Sequence, residues 1–204
     1  MGSNRKGCDI MQLMRIFSAE KYRGTKNYID TQKKYEIIRT LLYFGISLSL
    51  FAAGYIQTGR KTNLLTVVAI LGCLPASKSA VSVIMFLRFQ SCGADAAARI
   101  EKHCRGLCCL YDMVFTSYQK NYVVSHMAVR GNTVCGYSEK PDFPENDFYK
   151  HIDNILKMDG LKDVTVKVFT DLNKYTERLE QMNGLEADED RTAAVMATLK
   201  SVVL

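Results

Sequence analysis

Residues 40–59 read TLLYFGISLSLFAAGYIQTG, twenty positions without a charge. A helix of that length covers about 30 Å, the thickness of one hydrocarbon core. A second run, residues 62–87, is charged only at Lys78. Between the runs, Gly59, Arg60 and Lys61 leave room for a tight turn and nothing longer. The pair is therefore expected as a transmembrane α-helical hairpin, with spans of about 40–58 and 62–87. A helix in a soluble bundle keeps a polar stripe facing water. The first run offers Ser47, Ser49 and an occasional tyrosine instead. A signal peptide fits less well, because the apolar run starts forty residues in and a second one follows.

Lysine and arginine near the ends of the runs set the expected orientation. Lys33, Lys34 and Arg39 precede the first, and Arg88, Arg99, Lys102 and Arg105 follow the second. The connecting turn has Arg60 and Lys61. The flanks outnumber the turn, which predicts a multi-pass cell-membrane protein with both termini cytoplasmic. Pro75 lies inside the second run. It removes a backbone donor and crowds the preceding turn, so a kink or break is expected there. Lys78 would lie about 24 Å from the outer end, where its ammonium can snorkel to the head groups. A further option is that residues 76–89 form an interfacial helix.

The formal charge of +6 is unevenly distributed. Residues 1–39 hold nine Lys/Arg against four Asp/Glu; residues 141–204 hold eight against thirteen. In residues 1–39, Ile10, Met11, Leu13, Met14, Ile16 and Phe17 are interleaved with Arg15, ahead of Lys21 and Arg23. Such a basic, amphipathic segment suits either an anionic inner leaflet or a packed helix. Lys6 stands where N-acylation of Gly2 requires Ser or Thr, so no lipid anchor is expected. Residues 30–39 are expected to continue as helix into the first span.

From residue 93 onward the composition is that of a soluble domain with one core. Residues 95–104 read as a helix and 109–118 as a strand. Residues 122–130 alternate, placing Val123, Ser125, Met127 and Val129 on one face. Gly131-Asn132 is a hairpin turn signal, and residues 133–138 return as a third strand. Phe148, Ile152, Ile155 and Leu156 form a helical stripe that ends at Gly160. Val164, Val166 and Val168 mark a fourth strand. Asp171 caps a helix running to about Met182, and a last helix covers about 188–202. The expected fold is thus a membrane hairpin (40–89) behind a basic segment (1–39), plus a small cytosolic α+β domain (93–204) of order α-β-β-β-α-β-α-α.

The first six of these elements resemble, in order, the core of the restriction-endonuclease-like nucleases. The resemblance implies an acid beside the second strand and an acid-x-Lys on the third, together holding Mg²⁺ at a phosphodiester. This chain departs from that pattern. Its second strand has no acid, and its third ends in Ser138-Glu139-Lys140, where acid and lysine are adjacent and point to opposite faces. Asp112, Glu139 and Lys140 are the catalytic candidates that remain. Metal-assisted cleavage needs converging carboxylates, so an active nuclease is not the expected outcome.

Seven cysteines are present: Cys8, Cys73, Cys92, Cys104, Cys108, Cys109 and Cys135. Most fall on the predicted cytosolic side, where thiols stay reduced. His103, Cys104 and Cys108 are the metal-ligand candidates, but no second CxxC or HxxxH completes a tetrahedral set. His126, on a strand, and His151, beside a helical stripe, have no nucleophile and orienting acid identifiable nearby. GxGxxG, Walker and HExxH patterns do not occur. The sequence therefore predicts a membrane protein presenting a non-catalytic binding, scaffolding or ligand-sensing domain, with no cofactor. Its expected partners are the lipid bilayer, anionic lipid at the N-terminal segment, and a protein or second copy; nucleic acid is not expected. The alternatives are a membrane-tethered enzyme with a nuclease-like, degenerate core, or a small oligomeric channel or effector.

Overall fold

The computed structural model describes residues 22–59, 64–186 and 188–204. The basic segment around Ile10–Phe17, Cys8, and the turn residues Arg60 and Lys61 lie outside the described residues. The chain divides into two compact units. One includes Ile29–Gln90, and the other is formed by Tyr22–Tyr28 with Ser91–Leu204.

The first unit is built from two long helices, α1 (Tyr28–Thr58) and α2 (Leu64–Leu87). Both are long and apolar enough to cross a membrane. They meet through small side chains. Ser47, Ala69, Ala76 and Ser79 are buried, and a Cβ added at Gly72 would come within 2.6 Å of Ser47 Oγ. Small residues let helix backbones approach closely where lipid gives no hydrophobic drive between helices. A polar clasp closes one end of the pair. Thr40 Oγ1 donates to Ser79 Oγ at 2.7 Å, Arg39 Nε donates to the same oxygen at 3.3 Å, and Arg39 is ion-paired with Glu36. The contacts Thr40–Ser79 and Ser47–Gly72 fix the antiparallel register. The uncharged stretch of α1 from Thr40 onward therefore lies beside α2 from Ser79 back towards Leu64. The remainder of α2 runs beside the charged turns that hold Glu36 and Arg39. Of the kink or break expected at Pro75, the break is absent: α2 continues through it as one helix.

The second unit is a four-stranded sheet in the order β1-β2-β3-β4, with helices on both faces. The helices are α3 (Ala94–His103), α4 (Glu145–Met158), α5 (Leu172–Asn183) and α6 (Glu189–Ser201). The strands are β1 (Cys108–Thr116), β2 (Asn121–Arg130), β3 (Thr133–Tyr137) and β4 (Thr165–Phe169). β1, β2 and β3 form an antiparallel meander, and β4 joins β3 in parallel through the α4 crossover. The element order agrees with the sequence expectation. Gly131, at φ +55, makes the tight turn that brings Arg130 opposite Thr133.

One face of the sheet carries Met113, Phe115, Val124, Met127 and Val129. It is covered by Phe148, Ile152 and Leu156 of α4 and by Val195 and Leu199 of α6. The other face carries Ala128, Cys135 and Tyr137 under Ile100 of α3 and Tyr175, Leu179 and Met182 of α5. The apolar stripe predicted for α4 is present, although Ile155 is only partly buried. Tyr22–Tyr28 belongs with this unit: the Gly24 carbonyl accepts the Tyr111 N–H at 2.9 Å, and Lys26 pairs with Glu101 at 2.7 Å.

One local expectation is overturned. Strict alternation on β2 placed Val123 and Ser125 with Met127 and Val129. In the structure Tyr122 and Val124 share the main core with Met127 and Val129. The pleat changes phase between the pairs Tyr111–His126 and Met113–Val124. There Asp112 of β1 adopts the left-handed conformation, φ +55. A left-handed residue interrupts the two-residue side-chain period, while the register is the same on both sides of it, with Asp112 and Ser125 between the flanking pairs.

Candidate functional site

Two groups of chemistry-bearing side chains form in the α+β unit. The first contains the acids singled out from sequence. Asp112 is buried, and its Oδ1 accepts the backbone N–H of Cys92 at 2.8 Å. Glu139 Oε1 accepts the next amide, that of Gly93, also at 2.8 Å. Gly93 is the N-cap of α3, and carboxylates are favoured at the positive end of a helix. The two acids thus meet on neighbouring peptides, but each directs an oxygen at a backbone donor. Lys140 is exposed, and among the described residues its ammonium forms no ion pair with either acid. The site is a clasp holding the segment that leads into α3. Cys92 lies inside it, and burial, followed by the charges of Glu139 and Asp112, pushes its thiol up to about 12.

The second group lies on the sheet face beneath α3 and α5. Cys104 caps the C-terminus of α3. Cys109 is on β1 opposite Ala128, and His126 is on β2 opposite Tyr111. Cys109 and His126 are therefore diagonal neighbours on one sheet face, within reach of each other's side chains. The two Sγ atoms and an imidazole nitrogen lie within 4.8 Å of one another. Cys104 Sγ is 3.7 Å from His126 Nε2.

His126 is fully buried, and its ring is held from behind. The Tyr175 hydroxyl lies 2.6 Å from Nδ1 and donates its own hydrogen to the Cys135 carbonyl at 3.4 Å. The other ring nitrogen, Nε2, faces Cys104. The Tyr111 ring packs edge-on against the imidazole, centroids 4.5 Å apart. The Cys104 thiol is held down to about 5 by the Cys109 S–H and by His126, against the opposing effect of burial. Cys109 is pushed up, because its hydrogen is shared with Cys104 and its site is desolvated.

Of the metal candidates read from sequence, only Cys104 belongs to this group. α3 ends at His103, so Cys104 and Cys108 never share a helix face. His103 turns away, and its Nδ1 lies 2.7 Å from Glu180 Oε1. Cys108 is exposed and lines a groove with Met196 and Lys200. Sequence reasoning missed Cys109 and His126 as partners. The signal that finds them is strand register, since they are 17 positions apart and meet only when β1 pairs with β2. His151 stacks on Tyr122, centroids 5.7 Å apart.

No family model, no curated protein and no solved structure matches this chain.

Proposed function

We propose that the chain is an integral membrane hairpin holding a small, non-catalytic α+β domain at the inner leaflet, where the domain binds a ligand or protein partner. The observation that carries this reading is the outward surface of the helix pair. Leu41, Leu48, Ile56, Leu64, Ile70 and Leu74 stand exposed, an apolar surface far larger than single scattered side chains and one that lipid would cover. The clasp of Arg39, Glu36, Thr40 and Ser79 supports the placement of the inner boundary. The uncharged stretch from Thr40 to Thr58 gives about 28 Å of helix, close to one hydrocarbon core. Lys78, next to Ser79, then falls at the boundary, and its exposed side chain suits a snorkelling cation better than a site within the bilayer. The flanking positives favour cytoplasmic termini.

A binding role is favoured over nuclease chemistry by the engagement of Asp112 and Glu139 with the Cys92 and Gly93 amides. The test is sidedness in intact cells. A Thr62→Cys variant should react with a membrane-impermeant maleimide from outside. Cys108, exposed on the α+β unit, should react only after permeabilisation. The chain should also stay with the membrane through alkaline carbonate. Extraction by carbonate would sink the insertion, and labelling of Cys108 in intact cells would reverse the orientation.

A further inference from the structure

We infer that Cys104, Cys109 and His126 form a zinc site, supplying two thiolates and one imidazole from the described residues. The inference stands apart from the proposed membrane role, because every residue in it lies in the α+β unit.

Geometry is the first support. Zn–S and Zn–N bonds of about 2.3 and 2.05 Å at the tetrahedral angle place sulfur and nitrogen about 3.6 Å apart, and two sulfurs about 3.8 Å apart. The Cys104 Sγ to His126 Nε2 separation is 3.7 Å, and all three donor atoms fall within 4.8 Å. Small rotamer adjustments bring such a trio onto one ion. Second, the ring is oriented for the task. Metal-bound histidines characteristically give their other N–H to a fixed acceptor, which sets the tautomer and the ring plane. With a metal on Nε2 the ring hydrogen would sit on Nδ1, and the Tyr175 hydroxyl 2.6 Å away is placed to accept it while donating to the Cys135 carbonyl.

Third, Nε2 of a fully buried imidazole has a thiol sulfur 3.7 Å away as its partner, and sulfur is a weak hydrogen-bonding group. One Zn²⁺ would satisfy all three donors and balance the charge of two thiolates. The donor set decides the class of metal. Two sulfurs and one nitrogen suit Zn²⁺, whereas Mg²⁺ and Ca²⁺ take oxygen. The ligands come from the C-cap of α3, from β1 and from β2. Binding would therefore pin the end of α3 to the sheet.

The experiment uses the full chain, purified in detergent under reducing conditions. Cobalt(II), a spectroscopic stand-in for zinc, is titrated in, and bound metal is counted by elemental analysis. The expected result is one equivalent bound, with thiolate-to-cobalt charge-transfer absorption and intense tetrahedral ligand-field bands that zinc abolishes. Cys104→Ser and Cys109→Ser should each lose at least 100-fold in affinity, while Cys108→Ser, one residue away, should bind like wild type. Thermal unfolding in chelator shows whether each variant folds. Zinc should raise the midpoint for wild type and Cys108→Ser, and leave Cys104→Ser and Cys109→Ser unmoved. If the chain takes up no cobalt, or binds it without sulfur charge transfer, the proposal is overturned. It is equally overturned if folded Cys104→Ser and Cys109→Ser retain wild-type affinity.

Discussion

Asp112 Oδ1 accepts the backbone N–H of Cys92 at 2.8 Å while Asp112 itself sits at φ +55. A single residue thus shifts the pleat of β1 and fastens the segment entering α3. Asparagine tolerates the left-handed region and keeps an acceptor oxygen, so Asp112→Asn should be mild. Asp112→Gly relieves the backbone but orphans a buried amide, at a cost of about 1–3 kcal/mol. Asp112→Ala should cost roughly 1 kcal/mol more than glycine, because alanine resists the left-handed conformation. Denaturant unfolding of the detergent-solubilised chain measures all three. The order Asn, Gly, Ala is the expected ranking, and alanine matching wild type would refute the clasp.

The same clasp makes a pH prediction through Cys92. Its thiol is raised from 9.0 to about 12 in the folded chain, mainly by burial and then by Glu139 and Asp112. Below pH 9 the thiol is neutral folded or unfolded, so this group leaves stability unchanged there. Between pH 9 and 12 the unfolded thiol ionises and the folded one does not, so stability falls as pH rises. Glu139→Gln removes a negative charge but keeps an oxygen for the Gly93 amide. Alkylation of Cys92 at pH 9, mapped by mass spectrometry, should therefore be faster in Glu139→Gln than in wild type. Equal rates would show that the Glu139 charge contributes nothing to the shift.

Features of the fold written in local sequence were readable; those that depend on distant pairing were not. Asp171 was legible as a cap because its carboxylate needs only the amides of Asn173 and Lys174, two and three residues on. Gly131 was legible because a two-residue hairpin turn asks for positive φ. The helical stripe of α4 follows from its own period. Asp112 was ambiguous, since an acid in a β-rich run looks the same whether it faces solvent or turns left-handed against a neighbouring peptide. The grouping of Cys109 with His126 required the register of two strands. Cys104 joins them because the helix expected over 95–104 ends at His103, which makes Cys104 its C-cap. Helical spacing from Cys104 favoured Cys108, and the strand register brings in Cys109.

The core of the α+β unit separates two isoleucines that sequence periodicity treats alike. Ile152 is completely buried between α4 and the sheet, whereas Ile155 is only partly buried at its margin. Ile152→Ala should cost about 2–5 kcal/mol, the range for a large-to-small change in a close-packed site. Ile155→Ala should cost less than half as much, because its neighbourhood can relax or admit water. Paired denaturation curves check the difference. Equal losses would mean that the margin is packed as tightly as the centre.

The contact between Ser47 and Gly72 carries the last prediction. A Cβ at position 72 would lie 2.6 Å from Ser47 Oγ but 3.6 Å from Ser47 Cβ, so the obstacle is the hydroxyl and not the helix behind it. Gly72→Ala alone must turn the buried serine to another rotamer or separate α1 from α2. In the double variant Ser47→Ala/Gly72→Ala, that oxygen is gone and the two methyls meet at ordinary van der Waals distance. Gly72→Leu places branched carbons where no rotamer of Ser47 clears them. The thermal midpoint in detergent should therefore fall slightly for Gly72→Ala, recover in the double variant and fall most for Gly72→Leu. Close packing of the pair would also be lost in Gly72→Leu, which a cross-link between cysteines introduced at Thr40 and Ser79 should detect as a lower yield. A leucine variant that melts and cross-links like wild type would show that the helices do not meet at this point.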